Sequence, residues 1–435
     1  MEDSKTYEIT LTNMAYGGDA MGRLPDGRAV FVPFGLPGER VRLRLTEEKK
    51  NFARGEIIEI LEGSKDRIQP RCKHFGECGG CHYQNLPYEK QLEIKTEILR
   101  DQLNRIGKIE NPPIQPMVAC PDPWNYRNHI QFSLSENGKL GFVRSPALPK
   151  NHRDDVSGAV AETQRGKMPD VMEITECHLP EPSINSFWPQ LEFEPDADIE
   201  RVSLRASRDE DIMLVLESDS PEPPDLETEA GISITHIYEE NTVIIAGNDH
   251  LLIHVLDRDF KVSAASFFQV NTLMAEKMLQ HLIAELPITQ SSSLLDIYCG
   301  VGLFSAFFAS KCQKVIGIES SASACENFVF NLDEFDNVEL YEGTAEEVLP
   351  NLVGRIEKPL YVIVDPPRVG IERHALDAIV PLKPQMIAYV SCDPSTLARD
   401  ARRLIESGYR LTQVTPFDLF PQTYHIESIS IFERK

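Results

Sequence analysis

Two residues far along the 435-residue chain carry groups that could act together on one ring. Cys392 lies in Val390-Ser391-Cys392-Asp393-Pro394, and Glu427 in His425-Ile426-Glu427-Ser428. A thiolate can add to C6 of a uracil and turn C5 into a carbon nucleophile. A carboxylate can then remove the C5 proton so that the thiolate leaves. An arbitrary cysteine is more often a small buried hydrophobe than a nucleophile, and a lone glutamate beside an apolar strand is unremarkable. Cys392 differs because it follows the strand-like run 387–390, and Asp393-Pro394 turns the chain there. The pairing carries the weight.

A second constellation lies upstream, in Leu295-Asp296-Ile297-Tyr298-Cys299-Gly300-Val301-Gly302. A strand ending in a glycine turn that opens a helix lets the backbone approach a ligand and offers it free N–H groups. The next strand ends at Glu319, where an acid can hydrogen-bond ribose hydroxyls. The loop is not G-x-G-x-x-G, which favours S-adenosylmethionine over a dinucleotide. Asp365-Pro366-Pro367-Arg368 closes a later strand, and its prolines make a rigid rim.

A third group is Cys72-x5-Cys78-x2-Cys81, with Gly76, Gly79 and Gly80 inside it. Three thiols from one loop have metal-ligand spacing and need a fourth donor, for which Cys177 is the best remote candidate. Four cysteines suit zinc or an iron–sulfur cluster, and His74 and His82 keep zinc open. Cys120, Cys299, Cys312 and Cys325 read as packing residues. Nine cysteines, an odd number with three in one tight cluster and the rest scattered, argue against a disulfide framework.

These groups need elements to position them. Residues 6–62 show short alternating strands separated by Gly17-Gly18, Pro25-Asp26-Gly27 and Leu36-Pro37-Gly38. Five short strands in so little chain suit an OB-like barrel. Alternation along 40–45 puts Arg40, Arg42 and Arg44 on its outer face. A helix is expected over about 87–106, and 125–262 reads as β-rich, with irregular polar segments at 146–166 and 218–228. From 263 onward, near-continuous apolar strands at 293–297, 314–318, 361–364 and 386–390 alternate with helices, as in a doubly wound α/β sheet. The expected division is 1–62, 63–262 and 263–435.

The net charge of −24 counts against nucleic acid, because phosphate contacts need cations. The cations are nonetheless clustered at 40–54 and 65–73, and much of the acid excess lies at 217–229, so a local field can oppose the total. No apolar run reaches the ~20 residues that a membrane helix needs. With no secretory pattern in the first residues, a cytoplasmic protein is expected.

The whole pattern resembles the RNA uracil-5 methyltransferase family. Residues 6–62 look like its TRAM domain, an OB-like RNA-binding barrel, and 263–435 like its Rossmann-like class I methyltransferase domain. The resemblance implies that Cys72, Cys78, Cys81 and Cys177 hold a [4Fe–4S] cluster in a β-rich central domain. Ser266-Phe267-Phe268-Gln269-Val270-Asn271 matches a family motif and makes Gln269 a cofactor-site residue, with Tyr298, Gly300, Gly302, Glu319 and Asp365. Cys392 then matches the nucleophile and Glu427 the base. Leu303 and Thr344 depart from the family's pattern. The implied reaction is methylation of C5 of a uridine in RNA, 23S rRNA first and tRNA second, by a monomer that takes neither DNA nor a membrane as partner.

Two other readings have distinguishing marks. A cytosine-5 RNA methyltransferase would carry a second cysteine where Asp365-Pro366-Pro367 stands. An RNA-binding iron–sulfur protein with an inactive methyltransferase domain would bind S-adenosylmethionine without turnover, against which Cys392, Glu427 and Glu319 argue.

Overall fold

The computed structural model describes residues 6–145, 170–195, 197–209, 211–226 and 231–435. The polar segment expected at 146–166 and the acidic residues 227–229 lie outside the described residues. So do residues 1–5, on which the reading of the chain's start rested.

Strands β1 (Thr6–Met14), β2 (Ala20–Arg23), β3 (Ala29–Val32), β4 (Arg40–Glu48) and β5 (Phe52–Glu62) close a barrel in the order β1-β2-β3-β5-β4. The alternation does the work. Leu11, Val30, Val32, Val41, Leu43 and Ala53 fill the interior, while the intervening polar residues face out. Helix α1 (Tyr88–Arg105) follows the cysteine loop.

A second sheet has the order β12-β11-β10-β9-β6-β7-β8. Its strands are β6 (His129–Leu134), β7 (Leu140–Val143), β8 (Val171–Glu173), β9 (Arg201–Ala206), β10 (Ile212–Glu217), β11 (Ser233–Tyr238) and β12 (Asn241–Ala246), with α2 (Pro182–Phe187) between β8 and β9. Phe132, Trp188, Val202, Leu204 and Leu216 form its core. The hairpin β13 (His250–Val255) and β14 (Arg258–Ser263) comes next. Although it lies almost wholly before the expected boundary at 263, its Ile253, Val255, Phe260 and Val262 pack into the core of the following α/β unit.

That unit has α3 (Thr272–Glu285), β15 (Ser293–Ile297), α4 (Leu303–Ala309), β16 (Lys314–Glu319), α5 (Ala322–Asn331), β17 (Val338–Glu342), α6 (Ala345–Leu352), β18 (Leu360–Val364), α7 (Arg373–Ile379), β19 (Met386–Ser391), α8 (Pro394–Glu406), β20 (Tyr409–Phe417) and β21 (Glu427–Arg434). The sheet order is β17-β16-β15-β18-β19-β21-β20. Strands β15 to β19 run parallel, and β21 enters antiparallel between β19 and β20. Every residue of β15, β18 and β19 is buried, as expected for strands covered on both faces. The order reverses between β15 and β18, so a crevice opens at their carboxyl ends.

Helix α1 does not stand apart. Its Ile98, Leu99 and Leu103 pack with Leu397, Ala401 and Leu404 of α8 in the core of the α/β unit. Segment 114–118 pairs with the edge strand β20 through Ile114–Val414 and Val118–Phe417 bridges.

Candidate active site at the strand ends

The register of β19 and β21 places Ser391 opposite Ser428. Beyond that pair, Cys392 follows Ser391 and Glu427, the first residue of β21, precedes Ser428. Burial, Glu427, Asp365 and Asp393 push the Cys392 thiol up to about 12, and Arg368 acts in the opposite sense. Glu427 is buried. Burial and then Asp365 hold its carboxyl well above the usual carboxylate range, opposed by Arg368 and Lys95. Asp365, which follows β18, is pushed up to about 7 by burial and by Asp296. Asp296 is itself raised to about 7 by burial. Ser305 Oγ donates to its Oδ2 at 2.7 Å, while its Oδ1 has no hydrogen-bond partner among the described residues. Carboxyls and a thiol therefore face one another with few cations between them.

Local chemistry fixes these positions. Asp393 caps α8, accepting the Ser395 and Thr396 amides at 2.8 and 3.0 Å, and Pro394 occupies the first helical turn. Thr396 Oγ1 donates to the Arg368 carbonyl at 3.2 Å, and Asp400 accepts the Ile371 amide at 2.9 Å. Those contacts hold the Asp-Pro-Pro-Arg rim against α8. The segment leading into Glu427 is bolted to α1. Lys95, fully buried, pairs with Asp418 at 2.5 Å and donates to the Phe420 carbonyl at 3.0 Å. Gln91 exchanges two hydrogen bonds with Gln422, each 3.0 Å.

The glycine loop shapes the neighbouring cleft. At Gly302 φ is +91°, and a Cβ there would sit 2.4 Å from Leu332 Cδ1, so no other residue fits without displacement. Tyr298 has φ of +63°, an uncommon conformation for a side-chain-bearing residue. Glu319 accepts the Gly300 amide at 3.0 Å and the Ser320 and Ser321 amides at 2.8 Å each. The cleft is lined by Tyr298, Glu319, Thr344, Glu346, Pro367 and Gly370, among others. Thr344 Oγ1 is buried there without a partner among the described residues. A buried free hydroxyl and unneutralised carboxyls at the sheet's switch point suit a cationic nucleoside. Gln269, Gly300, Gly302 and Asp365 are not in the cleft lining. The Gln269 carbonyl accepts from Asn128 Nδ2 at 3.0 Å, where Asn271 caps α3.

Comparison with known proteins places this geometry. Residues 2–58 match the TRAM domain model, and 239–435 match that of tRNA (Uracil-5-)-methyltransferase. An RNA methyltransferase of Caldanaerobacter subterraneus is 34% identical, with 98% of each chain covered. One from Chlorobaculum tepidum is 32% identical, over 98% of this chain and 96% of its own. The chain belongs to the RNA uracil-5 methyltransferase family. The crystal structure of Pyrococcus abyssi tRNA (uracil-54, C5)-methyltransferase in complex with S-adenosyl-L-homocysteine shares the fold, with a TM-score of 0.70, 23% identity, and 98% and 99% of the two chains covered. This protein is thus an S-adenosylmethionine-dependent RNA methyltransferase of the uracil-5 class.

In the methyltransferase, the fold brings Cys177 to the loop that carries Cys72, Cys78 and Cys81. Lys73 N donates to Glu176 at 2.9 Å and Thr175 N to His74 Nε2 at 3.1 Å. The thiols are near enough for charge on one to raise another: Cys78 and Cys72 act on Cys177, and Cys177 and Cys78 on Cys81. Burial is the larger cause and takes Cys177 to about 11 and Cys81 to about 12. The donor set fits a group that binds four thiolates. Among the described residues, however, no three such side chains are drawn together tightly enough to enclose a single ion. His74 is engaged by Thr175, and burial lowers His82 to about 4.

The barrel departs from the expectation of a cationic face. Arg40, Arg42 and Arg44 do point outward, but each meets a carboxylate. Arg40 pairs with Glu62 at 2.8 Å, Arg42 with Glu8 at 2.8 Å and with Glu59, and Arg44 with Glu56. Arg54 pairs with Asp19 at 3.1 Å. The strand partners of β4 carry the matching acids, which single-strand alternation does not reveal.

Sequence reasoning passed over Arg368, Lys95 and Asp296 as site residues. Two left a signal. Arg368 follows Asp365-Pro366-Pro367 directly, and Lys95 falls on the apolar stripe of α1 with Gln91, Ile98, Leu99 and Gln102. Among the described residues no helix is long and apolar enough to cross a membrane.

Proposed function

We propose that the enzyme methylates C5 of a uridine in RNA through a covalent adduct at Cys392, with 23S rRNA as the substrate. The Ser391–Ser428 pair that ends the β19–β21 register, with Cys392 and Glu427 as its next neighbours and the Glu427 charge acting on the thiol, supports this reading. Arg368 opposes the rise in the Cys392 thiol and so favours the thiolate. The Cys392 sulfur forms a bond to C6, and the C5–C6 π pair moves onto the C4 carbonyl oxygen. Tyr298 and Glu319 of the cleft, with Gly300, Gly302, Asp365 and Gln269 near it, would hold S-adenosylmethionine, which would supply an electrophilic methyl group to C5 and leave as S-adenosylhomocysteine. Glu427 takes the C5 proton, the double bond re-forms and the Cys392 thiolate leaves. The target base must leave its stack to reach Cys392, and the barrel and second sheet would hold the flanking RNA.

Cys72, Cys78, Cys81 and Cys177 are proposed to hold a [4Fe–4S] cluster, supported by the hydrogen bonds that bring the 175–177 segment to the loop of the other three. The cluster would tie the loop at 72–81 to the 175–177 segment, outside the chemical step. Anaerobic purification should yield four iron and four sulfide per chain, and none after Cys177→Ser. The division into 1–62, 63–262 and 263–435 is kept as a functional proposal: barrel, cluster-bearing RNA-binding region and methyltransferase. A cytoplasmic monomer is proposed with it.

The test is incubation with 5-fluorouridine-substituted RNA and S-adenosylmethionine. Fluorine at C5 cannot leave as a proton, so the adduct stays on Cys392 and is mapped by mass spectrometry. A reaction with 23S rRNA fragments and none with tRNA supports the first substrate. The reverse supports tRNA, the second reading, which the matched family description and the Pyrococcus abyssi enzyme favour. No adduct with either, in a protein that binds S-adenosylmethionine, would sink the covalent mechanism.

A further inference from the structure

A contact from the barrel reaches the loop of the reactive cysteine. The β1–β2 turn is built on Gly17 and Gly18, at φ of +108° and +94°, and closed by Ala15 N donating to Asp19 at 2.8 Å. It projects Tyr16 onto the α/β unit, where the ring packs against its core. Tyr16 Oη donates to Asp393 Oδ2 at 2.9 Å. The other oxygen of Asp393 serves α8, accepting from Ser395 and Thr396. The two carboxylate oxygens thus divide between the helix and the barrel. Asp393 is covalently next to Cys392, and its charge acts on both Cys392 and Glu427.

A second strut meets the first. Tyr16 stands edge-on to Tyr424, with ring centroids 5.7 Å apart. Tyr424 in turn contacts His82 at 4.6 Å and His425 at 4.3 Å. His82 N and Tyr83 N both donate to the Gln422 carbonyl, at 2.8 and 3.0 Å. Barrel, cysteine loop and the segment before Glu427 therefore converge on one aromatic cluster beside the reacting groups.

We propose that Tyr16 is a positioning residue for methyl transfer, acting through Asp393 to set the Cys392 loop, so that the barrel completes the active site as well as gripping RNA. This rests on Cys392 being the nucleophile. The hydroxyl matters because a small displacement of a reacting group lowers rate far more than it lowers binding. Loss of the Oδ2 contact leaves the cap of α8 in place, so folding and reactivity separate.

The experiment uses the full chain with its RNA and S-adenosylmethionine. Tyr16→Phe should lower kcat roughly tenfold or more, with KM for both substrates and the Tm unchanged. Asp393→Ser keeps a capping oxygen that is too short to reach Tyr16. In that background Tyr16→Phe should change kcat no further. Unchanged kcat in Tyr16→Phe, or a defect confined to KM for RNA, would overturn the proposal. So would an equal loss in the Asp393→Ser background. Wild-type trapping on 5-fluorouridine RNA runs alongside. An adduct away from Cys392 would overturn the nucleophile assignment instead, whatever the Tyr16 kinetics.

Discussion

The outer face of the barrel and the crevice at the strand ends handle charge in opposite ways. On the barrel, Arg40, Arg42, Arg44 and Arg54 each lie against a carboxylate in water. Such exposed pairs contribute little to stability and are screened by salt. In the crevice, Asp296 and Glu427 are buried and Asp365 is half-buried, and each of the two aspartates is raised to about 7. Arg368 and Lys95 act on Glu427 there, but no cation pairs with each carboxyl one to one, and perturbed groups of this kind gather at functional sites. Matched charge lies where it costs little, and less fully matched charge lies at the strand ends, where the proposed reaction would take place. The net charge of the whole chain hides both facts.

The sharpest way to break this contrast is at the reacting groups. Cys392→Ser should lower turnover at least about 10⁴-fold while leaving S-adenosylmethionine binding intact. Glu427→Gln should lower turnover about 10³-fold and accumulate the RNA adduct on ordinary uridine, because elimination fails after addition. A Glu427→Gln protein that releases methylated RNA at the normal rate would remove the base assignment.

Stability separates the buried pair from the exposed ones. Lys95→Met leaves Asp418 buried without its cation and should cost about 3–5 kcal/mol in urea unfolding. Arg42→Gln, on the barrel, should shift Tm by no more than about 1 °C. Equal effects would erase the distinction.

The pH dependence of ligand affinity sharpens it further. A sulfonium favours the ionised form of Asp365, whose carboxyl lies near 7 before binding. Affinity for S-adenosylmethionine should hold above pH 7 and weaken as pH falls through it. Asp365→Asn should flatten that profile and lower affinity about tenfold at pH 8. S-adenosylhomocysteine, a neutral thioether, should show the shallower dependence by calorimetry. The smallest effect is expected from Arg40→Gln with Arg44→Gln. RNA affinity at physiological salt should stay within about twofold, since both guanidinium groups already face carboxylates.

Much of the α/β unit was legible because burial on both faces leaves an unbroken apolar run, as at β15, β18 and β19. Strand β17 escaped notice for the same reason reversed. It lies at the sheet edge, half exposed, and Val338-Glu339-Leu340-Tyr341-Glu342 carries no run to read. Cys392 and Glu427 stand out by residue type and by their positions at strand ends, and their roles as nucleophile and base belong to the proposal. Arg368 left a trace in the sequence after Asp365-Pro366-Pro367, but its action on Cys392 and Glu427, like that of Asp393, becomes visible only when β18, β19 and β21 lie side by side. The place of the β13–β14 hairpin and of α1 in the α/β core was also hidden, because amphipathic patterns say which face is buried and not against what. The paired state of the barrel arginines depends on strand register, which a single strand does not contain.

The antiparallel pairing of β19 and β21 gives the active site a parity. Side chains on a strand alternate between faces, so slipping β21 by one residue against β19 would turn Glu427 away from Cys392 and offer Ile426 or Ser428 in its place. A slip of two would bring back the correct face at the wrong depth. One residue inserted in β21 just after Ser428 would therefore take Glu427 off the face of Cys392, and two would keep the face while changing the depth.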